Sequence, residues 1–179
     1  MRERIEQNWG DYLKVAEGRV TRRQIDIVEA SISQFGEGLT GELLPPTLIH
    51  YDFRSGNMLF DDEREVVVLD WQSALDGQGA GDVCWFLSDS VSPEDRADHG
   101  PELLRIYLDE LVARGVDRGE LQDFDRQFEL CKLRRLPMSV LSATTFKHLA
   151  HPDDSSGPVW WARDYDELES IWRTFGGSA

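Results

Sequence analysis

Between Thr47 and Asp70 the chain reads TLIHYDFRSGNMLFDDEREVVVLD, three short apolar runs that each adjoin a polar group. Thr47-Leu48-Ile49 leads to His50, Met58-Leu59-Phe60 follows Asn57, and Val66-Val67-Val68-Leu69 delivers Asp70. Such runs, bounded by turn residues, read as strands. The pattern predicts strands over about 47–50, 58–61 and 65–69. Asp61-Asp62-Glu63-Arg64 is a tight polar turn that would close the last two into a hairpin. Polar groups at the ends of buried strands suit a site held on a rigid scaffold.

Around this stretch the apolar spacing is helical. Residues 2–17 carry Ile5, Trp9, Leu13 and Ala16 on one stripe, stopped by Gly18. Thr21 and Gln24 form a capping box, in which the hydroxyl serves the first free N–H groups. Ile25, Val28, Ile32 and Phe35 follow as a second stripe. Asp82 is expected to begin a helix through Val83, Phe86 and Leu87. Ser92-Pro93-Glu94-Asp95 is a further start signal, with proline at the first helical position. Leu104, Tyr107, Leu108 and Leu111 share a face until Gly115. A long pattern from Leu121 to Leu149 includes Phe124, Phe128, Cys131, Leu133, Leu136 and Val140, and Pro137 should kink or break it. Tyr165, Leu168, Ile171, Trp172 and Phe175 make a last helix. The expected fold is α+β and mostly helical, a single domain over 1–179. Residues 1–46 supply leading helices and a linker, 47–87 the core of the site, and 88–179 a helical subdomain.

The net charge of −15 argues against a nucleic-acid backbone or an anionic membrane as partner. It fits plain solubility, and equally a cationic small substrate. Cys84 and Cys131 both sit in apolar patterns and read as small core residues of a reducing compartment. No apolar run approaches the length of a membrane span, and MRERIEQNWG has no signal-peptide core. A cytoplasmic location is expected.

Several patterns are set aside. Gly36-Glu37-Gly38-Leu39-Thr40-Gly41 matches G-x-G-x-x-G, but it follows a helix and runs into Leu43-Leu44-Pro45-Pro46. A phosphate-cradling loop follows a strand, so this is read as a linker. His148 and His151 have no evident third ligand, which argues against zinc. Trp160-Trp161 is expected to pack the last helix. Asp109, Glu110 and Asp125 would line a cationic substrate site or form a solvated face; the second is the commoner fate of such acids.

His50, Asp52 and Asn57 fit H-x-D-x-x-x-x-N, and Asp70 comes thirteen residues after Asn57 at the end of an apolar strand. Phosphoryl transfer needs such a set: one carboxylate to position the acceptor hydroxyl and take its proton, and a second with an amide oxygen to hold Mg2+ on nucleotide phosphates. Hard Mg2+ takes oxygen ligands, few of them from protein. The plain alternative is a strand-turn-strand with polar turn residues. The joint spacing favours the site.

These residues resemble the catalytic centre of the aminoglycoside phosphotransferase and choline kinase-like families, relatives of protein kinases. Leu69-Asp70-Trp71-Gln72 stands where the D-F-G motif would, and Gly81-Asp82-Val83-Cys84-Trp85-Phe86-Leu87 resembles the family's Gly-Asp step into an apolar helix. The likeness covers about 1–175 in layout and 47–87 in specific motifs. It implies Asp52 as catalytic base, Asn57 and Asp70 as Mg2+ ligands, His50 as a brace, and Asp82 as a buried support hydrogen-bonded to backbone. Arg54 stands where protein kinases carry a phosphate-neutralising Lys; it would do that here or face solvent. Tyr51 replaces the family's usual Gly, a departure near the acceptor site.

The resemblance also implies a nucleotide lobe with a glycine loop and a strand Lys. The chain has three lysines, Lys14, Lys132 and Lys147, and its first 46 residues read as helices and a linker. It therefore resembles the C-terminal lobe only of the protein kinase-like fold, with the N-terminal lobe absent. The implied activity is ATP-dependent transfer of the γ-phosphoryl group to a small-molecule hydroxyl acceptor, with Mg2+, incomplete in this chain alone. A separate N-terminal lobe, or self-association through the exposed lobe face, is the expected protein partner. The alternatives are a catalytically inactive kinase-like binding module or truncated remnant, and a metal-dependent phosphohydrolase using the same carboxylates.

Overall fold

The computed structural model describes residues 2–34, 42–61, 65–146 and 165–175, with backbone only for 142–146. Phe35, the glycine motif, His148, His151 and Trp160-Trp161 lie outside the described residues. The chain divides into two compact units, Met1–Gly41 with Glu129–Ala179, and Glu42–Phe128. The mostly helical α+β class is borne out.

The first unit is built on helices α1 (Arg2–Ala16) and α2 (Arg22–Gln34), with much of α5 (Phe124–Phe146) and α6 (Tyr165–Thr174). Its core joins Ile5, Tyr12, Ile27, Val28, Leu133, Leu136, Val140 and Trp172. The stripe on α1 runs through Ile5, Trp9, Tyr12 and Ala16, while Leu13 is exposed, contrary to expectation. Steps of four, three and four keep a helix face in line at 3.6 residues per turn, and Leu13 lies a further 100° round. Tyr12 stacks on Trp9 with centroids 5.3 Å apart. The capping box is present: Thr21 N–H donates to Gln24 Oε1 at 2.8 Å, and Gln24 N–H to Thr21 Oγ at 3.3 Å. Helix α5 continues unbroken through Pro137, whose missing N–H leaves the helix ladder one bond short. The buried neighbours Leu133, Leu136 and Val140 hold it there by packing.

On α6 Tyr165, Leu168, Ile171 and Trp172 of the predicted face are buried, Phe175 just past its end is half-buried, and Glu169 is buried beside them. Its carboxylate accepts from Arg173 at 2.7 Å and from Arg23 of α2. The Arg173 guanidinium, then that of Arg23, holds the Glu169 carboxyl below the usual range. A depressed carboxyl contributes stability above its unfolded value, and loses it as pH falls through the folded value. Thermal unfolding of Glu169→Gln, followed by circular dichroism, should therefore show a lower midpoint than wild type at pH 7. The two midpoints should converge below about pH 4, where an ordinary Glu is protonated. Parallel curves across that range would remove the linkage.

The second unit carries four short strands and two long helices. Strand β1 (Thr47–Ile49) pairs antiparallel with β4 (Leu75–Gly77), Thr47 opposite Gly77 and Ile49 opposite Leu75. Strand β2 (Met58–Phe60) pairs antiparallel with β3 (Val66–Val68), Met58 opposite Val68. The three expected strands and the hairpin are present, and β4 is additional. Leu75-Asp76-Gly77 has no strand signal of its own, so its extension comes from pairing with β1. A Cβ at Gly77 would lie 2.5 Å from Ile49 Cδ1, so the glycine lets the buried Ile49 pack close. Residues 62–64 lie outside the described residues. The neck of the hairpin is closed by Asp61, whose N–H donates to the Glu65 carbonyl at 3.2 Å and whose Oδ1 accepts Glu65 N–H at 2.8 Å. Leu59 and Phe60, on opposite faces of the hairpin, are 57% and 64% exposed.

Helix α3 (Gly79–Ser90) begins three residues before the expected Asp82. Gln78, buried at its N-cap, holds Leu44 by both backbone groups, at 2.9 and 3.1 Å. Helix α4 (Pro93–Ala113) is capped as predicted, Ser92 Oγ accepting Asp95 N–H at 3.0 Å. It runs on through Pro101, so the start signal and the 101–114 stripe belong to one helix, ended at Gly115 with φ +99°. Asp109 pairs with Arg105 and Glu110 with Arg114 on an exposed face. Cys84 and Cys131 are buried. Among the described residues no helix is long and apolar enough to cross a membrane.

Candidate functional site

The nested pairing of strands lays two connections side by side: His50–Asn57 between β1 and β2, and Leu69–Ala74 between β3 and β4. Leu69 joins them. Its N–H donates to the Asn57 carbonyl at 2.8 Å, and its carbonyl lies 2.7 Å from His50 Nε2. A carbonyl can only accept, so the proton is assigned to Nε2. His50 Nδ1 then accepts Asp52 N–H at 3.3 Å. The imidazole is 1% exposed. It packs on Trp71 at 4.8 Å and Phe53 at 6.1 Å, and Phe53 meets Phe86 of α3.

Asp82, in the first turn of α3, grips the start of the loop. Its Oδ2 accepts His50 N–H at 2.6 Å and its Oδ1 accepts Tyr51 N–H at 2.9 Å. Tyr51, whose N–H is held in this way, has φ +70°. That conformation is disfavoured for a side chain with Cβ, so the carboxylate holds it. Ser90 Oγ, at the other end of α3, accepts Ser55 N–H at 2.8 Å. Tyr107 of α4 is near Asp82. Burial, then the Asp82 charge, pushes its hydroxyl above the usual range.

Both oxygens of Asp52 are engaged. Oδ1 accepts Arg54 Nε–H at 3.1 Å and Oδ2 accepts Asn57 Nδ2–H at 2.9 Å. Asn57 Nδ2 also donates to the Asp52 carbonyl at 2.8 Å, and Asn57 N–H donates to the Arg54 carbonyl at 2.9 Å. With its nitrogen between two acceptors, Asn57 has its side-chain oxygen left as a donor atom for a cation. Asp70 sits at φ +62°, a left-handed position that Asp tolerates better than most residues. Its carboxylate is exposed.

The structure thus joins His50, Asp52, Arg54, Asn57 and Asp82 by direct hydrogen bonds, and fixes Asp70 through its neighbour Leu69. Arg54 meets Asp52 itself, an arrangement the sequence did not suggest. Tyr107 and Ser90 were not singled out for this site; each enters through packing of α3 and α4, which leaves no local signal. Among the described residues no three His, Cys, Asp or Glu side chains converge as a metal site. A separate pocket of about 390 Å³ in the first unit, lined by Leu13, Val20 and Ile25 among others, holds none of these residues.

Comparison with protein families finds a match to the model of the phosphotransferase enzyme family over residues 2–124. A search of curated proteins finds no significant match.

Proposed function

Since this chain belongs to the phosphotransferase enzyme family, we propose that its site is that of a small-molecule kinase, moving the γ-phosphoryl group of ATP to an acceptor hydroxyl. The observation that carries this reading is the Asp52–Asn57 pair, hydrogen-bonded at 2.9 Å and joined through Leu69 to Asp70. In the reading, the acceptor O–H gives its proton to Asp52 as its oxygen bonds to the γ-phosphorus. The bond from that phosphorus to the bridging oxygen breaks, and ADP leaves with the electron pair. Asn57 and the Mg2+-ligand candidate Asp70 present an amide oxygen and a carboxylate, a hard oxygen set that fits Mg2+. Mg2+, when bound, would neutralise charge on the phosphates. Asp82 and His50 hold the loop, and Arg54 supplies a cation beside the base.

The reading includes a C-terminal-lobe identity and a cytoplasmic setting. The exposed apolar pairs on the hairpin, Leu59 with Val67 on one side and Phe60 with Val66 on the other, support a surface that meets a separate nucleotide-holding lobe or a second copy. One observation favours the alternative of a catalytically silent binding module: the unit that carries the site, Glu42–Phe128, contains no lysine.

Calorimetric titration with ATP, in Mg2+ and again in excess EDTA, tests the proposal. Binding that requires Mg2+ is expected. Absence of binding, or equal binding in EDTA, would overturn it.

A further inference from the structure

We propose that Arg54 is a sheath on the base, held on Asp52 while no nucleotide is bound and drawn off it by the nucleotide's phosphate. This rests on the phosphotransferase reading and concerns the regulation of that same site. Arg54 Nε lies 3.1 Å from Asp52 Oδ1. The other end of the guanidinium fills a notch over the loop: a Cβ at Gly56 would lie 2.7 Å from Arg54 Nη1 and 3.4 Å from Cζ. Glycine there leaves room for the parked cation.

The parked pose uses both ends of the guanidinium fork. The fork binds a phosphate bidentately through two N–H groups of one edge. In the parked pose the Nε edge faces Asp52 and Nη1 sits in the notch. A bidentate grip on phosphate therefore requires leaving Asp52. The anion that replaces it carries more charge than a carboxylate, so the exchange favours the phosphate. Asn57 Nδ2 still holds Oδ2 after the exchange, so the base stays in place while Oδ1 opens to the acceptor. Nucleotide and acceptor then bind cooperatively, and by linkage Asp52 must weaken nucleotide binding by the amount that it holds Arg54 back.

MgATP affinity, measured by calorimetry on wild type, Asp52→Asn, Arg54→Gln and the double variant, forms a cycle that isolates this competition. Asp52→Asn should tighten MgATP about fivefold to tenfold when Arg54 is present and change it little in the Arg54→Gln background, the size of an ordinary coupling. Equal tightening in both backgrounds would mean direct repulsion between Asp52 and phosphate, and overturns the sheath alone. Weakening by Asp52→Asn would mean that Asp52 aims Arg54 at the phosphate, and also overturns it. Gly56→Ala fills the notch without changing charge, and it should tighten MgATP in the same sense; weakening there counts against the sheath. No MgATP binding by wild type overturns the phosphotransferase reading, and the sheath with it.

Discussion

Asp82→Ala is expected to destabilise the chain by about 3 kcal/mol in denaturant unfolding, a large effect for one side chain outside the apolar core. Its carboxylate accepts two backbone N–H bonds, from His50 and Tyr51. Hydrogen bonds to a charged group are worth about 1.5–3 kcal/mol each, and a buried donor left unmade carries its own penalty. The His50 N–H belongs to a residue that is 1% exposed. Tyr51 would keep φ +70° with nothing to hold it. Tyr51 is half exposed, so water can take over its N–H, which keeps the expected loss below the sum of two such bonds. Asp82→Asn should fall between, since its one oxygen can accept from one N–H at full strength. A change under about 0.5 kcal/mol for Asp82→Ala, the scale of an ordinary surface substitution, would show that the carboxylate does not hold the loop.

Asp70→Asn should remove most of the Mg2+-dependent part of ATP affinity, about a hundredfold, with little change in stability. Asn is chosen because it tolerates the left-handed backbone that Asp70 adopts at φ +62°. A unit charge about 3 Å from a dication contributes about 3 kcal/mol even at the dielectric of water, which is about a hundredfold in binding. Asp70 is exposed, so that dielectric is the appropriate one. ATP titrations of both proteins at several Mg2+ concentrations read the effect. An unchanged Mg2+ dependence in Asp70→Asn would take Asp70 out of the metal site.

What the sequence disclosed follows from how local each cause is. The valine run of β3 and the Met-Leu-Phe of β2 announced themselves, and the polar turn between them gave the hairpin. Strand β4 did not, because Leu75-Asp76-Gly77 is extended by a partner thirty positions away. On α1, Tyr12 and Leu13 are adjacent apolar candidates, and packing against Trp9 decides between them. Family membership was legible because H-x-D-x-x-x-x-N and the later Asp form a fixed spacing within one stretch. The Arg54–Asp52 ion pair was not legible, since it depends on a loop held in shape from α3 by Asp82. Pro137 does not break its helix, as the sequence allowed it to, because the packing of its buried neighbours outweighs one missing hydrogen bond.

The nesting of β2–β3 inside β1–β4 also sets how the site comes into being. Neither connection is closed until Thr47 meets Gly77, thirty positions along the chain. The inner hairpin joins Phe60 to Val66 across six positions and can zip early. Once formed, it roughly halves the loose chain that the outer pair must close, which lowers the entropy of that closure by about 0.6 kcal/mol. The outer closure then orders the rest of both connections. Asn57 and Leu69, whose bond continues the inner register, are set with the hairpin, while Asp52, which follows β1, waits for the outer closure. Slow amide exchange across β1 and β4, whose pairing is the outer closure, would report completion of that event.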